Sequence, residues 1–119
     1  MDEVKKERSI IFFGSDDLFF RAKIEQILAA RGFNLTFVRF ADELIPTLTR
    51  EGSGTVIIDL DRCEPKMQEI SQIVMKSGYR SIGFYPHAKR HLAHQAKKTG
   101  ISQVIPRSGL ETALQWMLN

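Results

Sequence analysis

Cysteine is almost missing from this chain. Cys63 is the only one in 119 residues, which excludes an internal disulfide and any zinc site built on several thiolates, and leaves a small thiol in the core or a loop. No apolar stretch approaches the roughly 18 residues needed to span a bilayer. The first residues, Met1 to Arg8, mix both charge signs with no hydrophobic segment behind them, so neither a membrane span nor a secretory leader is expected, and a cytoplasmic location follows. Linkers, low-complexity segments and long repeats are also missing, so residues 1–119 read as a single domain with an ordered core over about 8–118. Charge of one sign does not dominate either. A net charge of +3 favours acidic partners mildly, and without a DNA-reading motif it argues against nucleic acid.

What the chain does have is regular alternation. Five short apolar runs predict strands at Ser9 to Phe13, Leu35 to Arg39, Thr55 to Ile58, Ser81 to Tyr85 and Gln103 to Ile105. Only the second alternates, with Leu35 and Phe37 against Thr36 and Val38, which suits a sheet edge, whereas the third is the most buried candidate. Between the strands, apolar residues recur at three-and-four spacing, as in Phe20, Ile24, Ile27 and Leu28 or Leu110, Ala113, Leu114 and Met117, and each set predicts a helix with one stripe turned to a sheet. Gly32, Gly52, Gly78 and Gly100 close helical runs. Ser15 is placed to cap the first helix, and Ser108 with Glu111 spells a capping box for the last. Pro46 must lie in the first turn of the second helix, or that helix starts late.

Strand-helix alternation of this kind means α/β architecture: a parallel five-stranded sheet between two helical layers. Right-handed crossovers and an alternating second strand on the edge make 2-1-3-4-5 the most economical order. The topological switch then lies between strands one and three, where ligands collect at the carboxyl ends of the strands. Ser15, Asp16 and Asp59 meet there, Asp59 closing the buried run Thr55 to Ile58. Two carboxylates at such a mouth can hold a hard cation such as Mg²⁺, and a carboxylate beside it can act as a nucleophile toward a phosphoryl group.

Five strand-helix units in about 120 residues, acids after strand one, an aspartate ending strand three and a basic residue after strand five together resemble the receiver domain of two-component response regulators, a flavodoxin-like (βα)5 fold, over Ser9 to Leu118. The resemblance implies that Asp59 is the phosphoacceptor. It also implies that Asp16, Asp59 and the main-chain carbonyl of Asp61 are the metal ligands, for Mg²⁺ and no other cofactor. Ser15 replaces the first acid of the family's pair, Tyr85 stands where a small hydroxyl is usual, and Arg107 takes the place of a lysine. These departures make the chain an atypical or pseudo-receiver, with Ser15, Asp17, Tyr85, His87 and Arg107 around the pocket. Arg107 could pair bidentately with Asp59 or Asp16 and imitate the active state without phosphate.

Each of these residues also has a plainer role: Asp16 and Asp17 suit a first helical turn, and Arg107 suits a structural ion pair. His87, His91 and His94 have helical ligand spacing but lack a nearby third class of donor, so exposed helix surface is the expectation rather than zinc. Lys89, Arg90, His94 and Lys97 belong to a basic stretch on the fourth long helix. In receivers the face formed by helix four, strand five and helix five is the signalling surface, so the resemblance implies a protein partner there, a histidine kinase or an output protein, with homodimerisation left open. The expected function is a non-catalytic signalling module in a phosphorelay. The alternative is a flavodoxin-like domain binding a nucleotide or other small ligand, against which acids stand at Asp16 and Asp17 where a phosphate loop wants glycines.

Overall fold

A computed structural model describes residues 9–63 and 66–117. The strands are β1 (Ser9–Phe13), β2 (Asn34–Val38), β3 (Thr55–Asp59), β4 (Arg80–Tyr85) and β5 (Gln103–Pro106). The helices are α1 (Leu18–Ala30), α2 (Ala41–Glu51), a short α3 (Leu60–Cys63), α4 (Met67–Ser77), α5 (His91–Thr99) and α6 (Leu110–Met117), the last entered through a 3-10 turn at Arg107–Gly109. All strand pairs are parallel, in the order β2-β1-β3-β4-β5. The α/β class, the strand order and the flavodoxin-like layout are those the alternation predicts. The four-residue α3 has no counterpart in the periodicity, being too short to register at a 3.6-residue period, so the predicted fourth long helix is α5 and the fifth is α6.

The sheet divides the core into two layers, because successive side chains of a strand point to opposite faces. Ile11, Phe13, Val56 and Ile58 pack on one face against Leu44 and Leu48 of α2, Ile70 and Val74 of α4, and Leu92 and Ala96 of α5. Ile10, Phe12, Ile57, Ile82 and Phe84 pack on the other against Ile24 and Leu28 of α1 and Leu110 and Leu114 of α6. Every residue of β3 is buried, whereas β2 alternates between exposed and half-buried positions before Val38, as an edge strand should. An aromatic group built from Phe12, Phe20, Phe37 and Phe84, with neighbouring ring centroids 5.6–6.5 Å apart, ties α1 to three strands. Cys63 is buried.

Three local expectations are corrected. Pro46 lies beyond the first turn of α2, which starts at Ala41 so that Leu44, Thr47 and Leu48 can share one buried face. Pro46 itself is exposed, so the Asp42 carbonyl that its missing N–H leaves open is accessible to water. Ser108 lies inside the 3-10 turn rather than at a helix cap, because that turn is led by Pro106, with its fixed φ, and has no side-chain cap. The N-cap of α1 is Asp17, whose carboxylate accepts the Phe20 N–H at 3.0 Å, and not Ser15, which sits two residues too early.

Among the described residues no helix is long and apolar enough to cross a membrane.

Candidate functional site

The carboxyl ends of β1 and β3 lie side by side, in register at Phe13 and Ile58, and the chain leaving each strand builds the crevice. Gly14 and Ser15 leave β1 with φ of +111° and +63°. For glycine this carries no steric cost, but the left-handed region is uncommon for serine and marks backbone held by its surroundings. What holds Ser15 is β3: its N–H donates to Asp59 Oδ2 at 3.2 Å, while its hydroxyl accepts the Asp17 N–H at 3.3 Å. Glycine is required before it. A Cβ on Gly14 would stand 2.3 Å from the Asp59 Cβ and 3.1 Å from Arg62 Cδ.

Asp59 is the only charged side chain buried among the described residues, at 9% exposure. The Asp61 N–H donates to its Oδ1 at 3.1 Å, so each carboxylate oxygen has a backbone donor. Burial pushes the Asp59 carboxyl above its usual range, and the nearby Asp61 charge adds to this, while the N–H groups of Asp61, Ser15 and Arg62 pull it back. Among the described residues no cation makes an ion pair with it. The acids around it are each engaged: Asp16 with Arg62 at 2.7 Å and Arg39 at 4.0 Å, Asp61 with Lys89 at 2.7 Å, and Asp17 with Arg107 at 2.6 Å.

The expected pairing of Arg107 with Asp59 or Asp16 is therefore corrected to Asp17. The reason is aromatic: the guanidinium lies 4.3 Å from the centroid of Phe20, one turn into α1, and that stacking turns it toward the acid at the cap of the same helix. The Phe20 N–H, and behind it the Arg107 charge, hold the Asp17 carboxyl below its usual range. Tyr85 is half-buried and packs on the opposite face of the sheet, with the cluster that contains Ile58 and Leu92. His87 is exposed and joins Phe20, Pro86, Arg107, Ser108 and Glu111 around an open groove of about 450 Å³ beside the crevice.

Sequence reasoning placed Asp16, Asp59 and Ser15 together but missed Arg62. The signal was there: a cation three residues after Asp59, at the end of a short helix, is within reach of whatever leaves β1. Lys89, read as part of a partner-binding face, reaches back to Asp61, whereas Arg90, His94 and Lys97 are exposed, with Leu92 and Ala96 buried beneath them. Phe19 and Trp116, at 85% and 77% exposure, are open to solvent on α1 and α6.

The donors in this arrangement do not fit Mg²⁺. A divalent cation between Asp16 and Asp59 would need the Asp16 carboxylate that Arg62 and Arg39 already hold. The Asp61 side chain is turned to Lys89, which leaves only the main-chain carbonyl expected of Asp61 as a donor from that residue. Among the described residues no group of three or more His, Cys, Asp or Glu could hold a metal ion. What the arrangement offers instead is one buried carboxylate with no ion-pair partner among the described residues, beside acids that are each paired with an arginine or lysine. The chain matches no model of a known protein family, and no curated protein matches it.

Proposed function

We propose that this chain is a receiver-like signalling module, non-catalytic and working in the cytoplasm, in which Asp59 accepts a phosphoryl group. The observation that carries the reading is Asp59 itself, a buried carboxylate at the topological switch of a 2-1-3-4-5 sheet, fixed by the Ser15 and Asp61 N–H groups and lacking an ion-pair partner among the described residues. In the reaction a carboxylate oxygen of Asp59 attacks the phosphorus of a small acyl phosphate. The new P–O bond forms as the bond to the acetate leaving group breaks, and acetate departs with the electron pair. Backbone donors fix the nucleophile, and Arg62 and Lys89 are the nearby cations for the added charge. The output surface is the exposed basic face of α5 with β5 and α6, where Arg90, His94 and Lys97 suit an acidic protein partner and Trp116 supplies an aromatic anchor.

The test is incubation with acetyl phosphate, or with beryllofluoride as a phosphoryl mimic, in Mg²⁺ and in parallel in EDTA, followed through the amide resonances of Gly14 to Asp17 and Asp59 to Arg62. Shifts in wild type that vanish in Asp59→Asn support the reading. Spectra unchanged under both conditions remove it.

A second reading rests on the groove beside Phe20 and Arg107, which has the volume of a small-ligand site and combines an apolar floor with a few polar groups. A nucleotide or flavin seated there would broaden or shift His87 and Ser108 without touching Asp59.

A further inference from the structure

The cations around the crevice are not equivalent. Arg39, Lys89 and Arg107 have side chains 69%, 48% and 40% exposed, whereas Arg62 is at 26%. Its stem lies along Gly14 on the side where Asp59 also approaches, because the missing Cβ leaves room for both. From there the guanidinium reaches across the crevice. Nη1 donates to Asp16 Oδ2 at 2.7 Å and Nη2 to the Arg39 carbonyl at 3.3 Å, so the head is fixed at two points, by the segment after β1 and by the segment after β2. Arg62 thus holds Asp16, one of the two carboxylates that a divalent cation would bridge, while its stem passes Gly14 beside Asp59.

We propose that Arg62 is the resident cation at the mouth of the crevice, holding Asp16 where a metal ion would otherwise bind it, and thereby excluding the metal. The inference deepens the phosphoacceptor reading, and only its phosphoryl consequence, charge stabilisation by Arg62 without metal, rests on that reading. The exclusion of metal stands on the geometry alone. A divalent cation competing for Asp16 meets the same charge, and for a pair in which Asp16 is 67% exposed it is expected to gain roughly two- to fivefold in affinity when Arg62 is neutralised.

The experiment is a titration of the full chain with Mg²⁺, and with Mn²⁺ as a paramagnetic substitute, observed at the amides of Gly14 to Asp17 and Asp59 to Asp61. Wild type is compared with Arg62→Gln, which keeps a polar stem without charge, and Arg62→Lys, which keeps the charge without the fork. Amide dispersion in the metal-free spectra verifies that each variant is folded. The expected result is selective broadening in Arg62→Gln at Mn²⁺ concentrations roughly two- to fivefold below those that affect wild type, with Arg62→Lys close to wild type. Equal binding by wild type and Arg62→Gln, or binding by neither, overturns the proposal. No phosphoryl donor enters this titration, so its failure is distinct from a failure of Asp59 to be phosphorylated.

Discussion

Gly14→Ala is the substitution that tests most sharply how the site is built. Two costs are added and one is relieved. An L-residue held at positive φ costs roughly 1–2 kcal/mol, and at Gly14 the angle is +111°. Overpacking costs a further 1–3 kcal/mol or so, because the new methyl would lie 2.3 Å from the Asp59 Cβ, which is bonded directly to the backbone of a fully buried strand and cannot swing aside. Against these, alanine restricts the unfolded chain and returns roughly 0.4–1 kcal/mol. The net loss is about 1–5 kcal/mol, or on the order of 10 °C in Tm for a domain of this size. Gly52→Ala provides the internal control, since Gly52 has φ of +80° with nothing within 4 Å of its virtual Cβ. It should lose only about 1 kcal/mol. Urea denaturation followed by far-UV circular dichroism measures both, with an unchanged slope certifying that stability alone has moved. If Gly14→Ala costs no more than Gly52→Ala, the close approach of Gly14 to Asp59 is wrong.

Three further outcomes follow from named groups. Because the Asp59 carboxyl is raised in the folded chain, its ionisation is disfavoured by folding, so its contribution to stability is greatest below the unfolded pKa near 4 and falls as pH rises through the folded value. Urea melts of wild type and Asp59→Asn from pH 4 to 7 should show wild type losing ground to the variant as pH rises, and a gain would contradict the buried, unpaired carboxylate. Pro46→Ala restores an N–H donor to the exposed Asp42 carbonyl inside α2 and should stabilise by about 1–2 kcal/mol after the unfolded-state entropy is counted, with a lower thermal midpoint as the opposing result. In Arg107→Ala, carboxyl-detected NMR titration should move Asp17 only part of the way back to its usual value, because the Phe20 N–H is the larger cause of its depression, and full restoration would assign the effect to the ion pair instead.

The strands and the sheet order were legible because their causes are local. Runs such as Thr55 to Ile58 and stripes such as Ile24 with Leu28 carry burial in the sequence itself, and right-handed crossovers leave few ways to assemble them. The site was legible only as far as strand ends are: Ser15, Asp16 and Asp59 sit where the topology puts them. The direction of long side chains was not. Arg107 turns to Asp17 because Phe20 offers a ring to stack on, and Arg62 turns to Asp16 because Gly14 leaves a channel for its stem, and both causes lie in residues distant in sequence. Ser15 failed as a cap because the helix begins two residues later behind Asp17, with the Ser15 hydroxyl taking the Asp17 N–H instead.

Whether Asp59 receives a phosphoryl group is read from the intact mass of the chain after incubation with acetyl phosphate. One added phosphoryl group is expected on wild type, formed in EDTA as well as in Mg²⁺ because Arg62 supplies the local charge, and absent from Asp59→Asn. An unmodified wild-type mass under both conditions, or the same addition on Asp59→Asn, would contradict it.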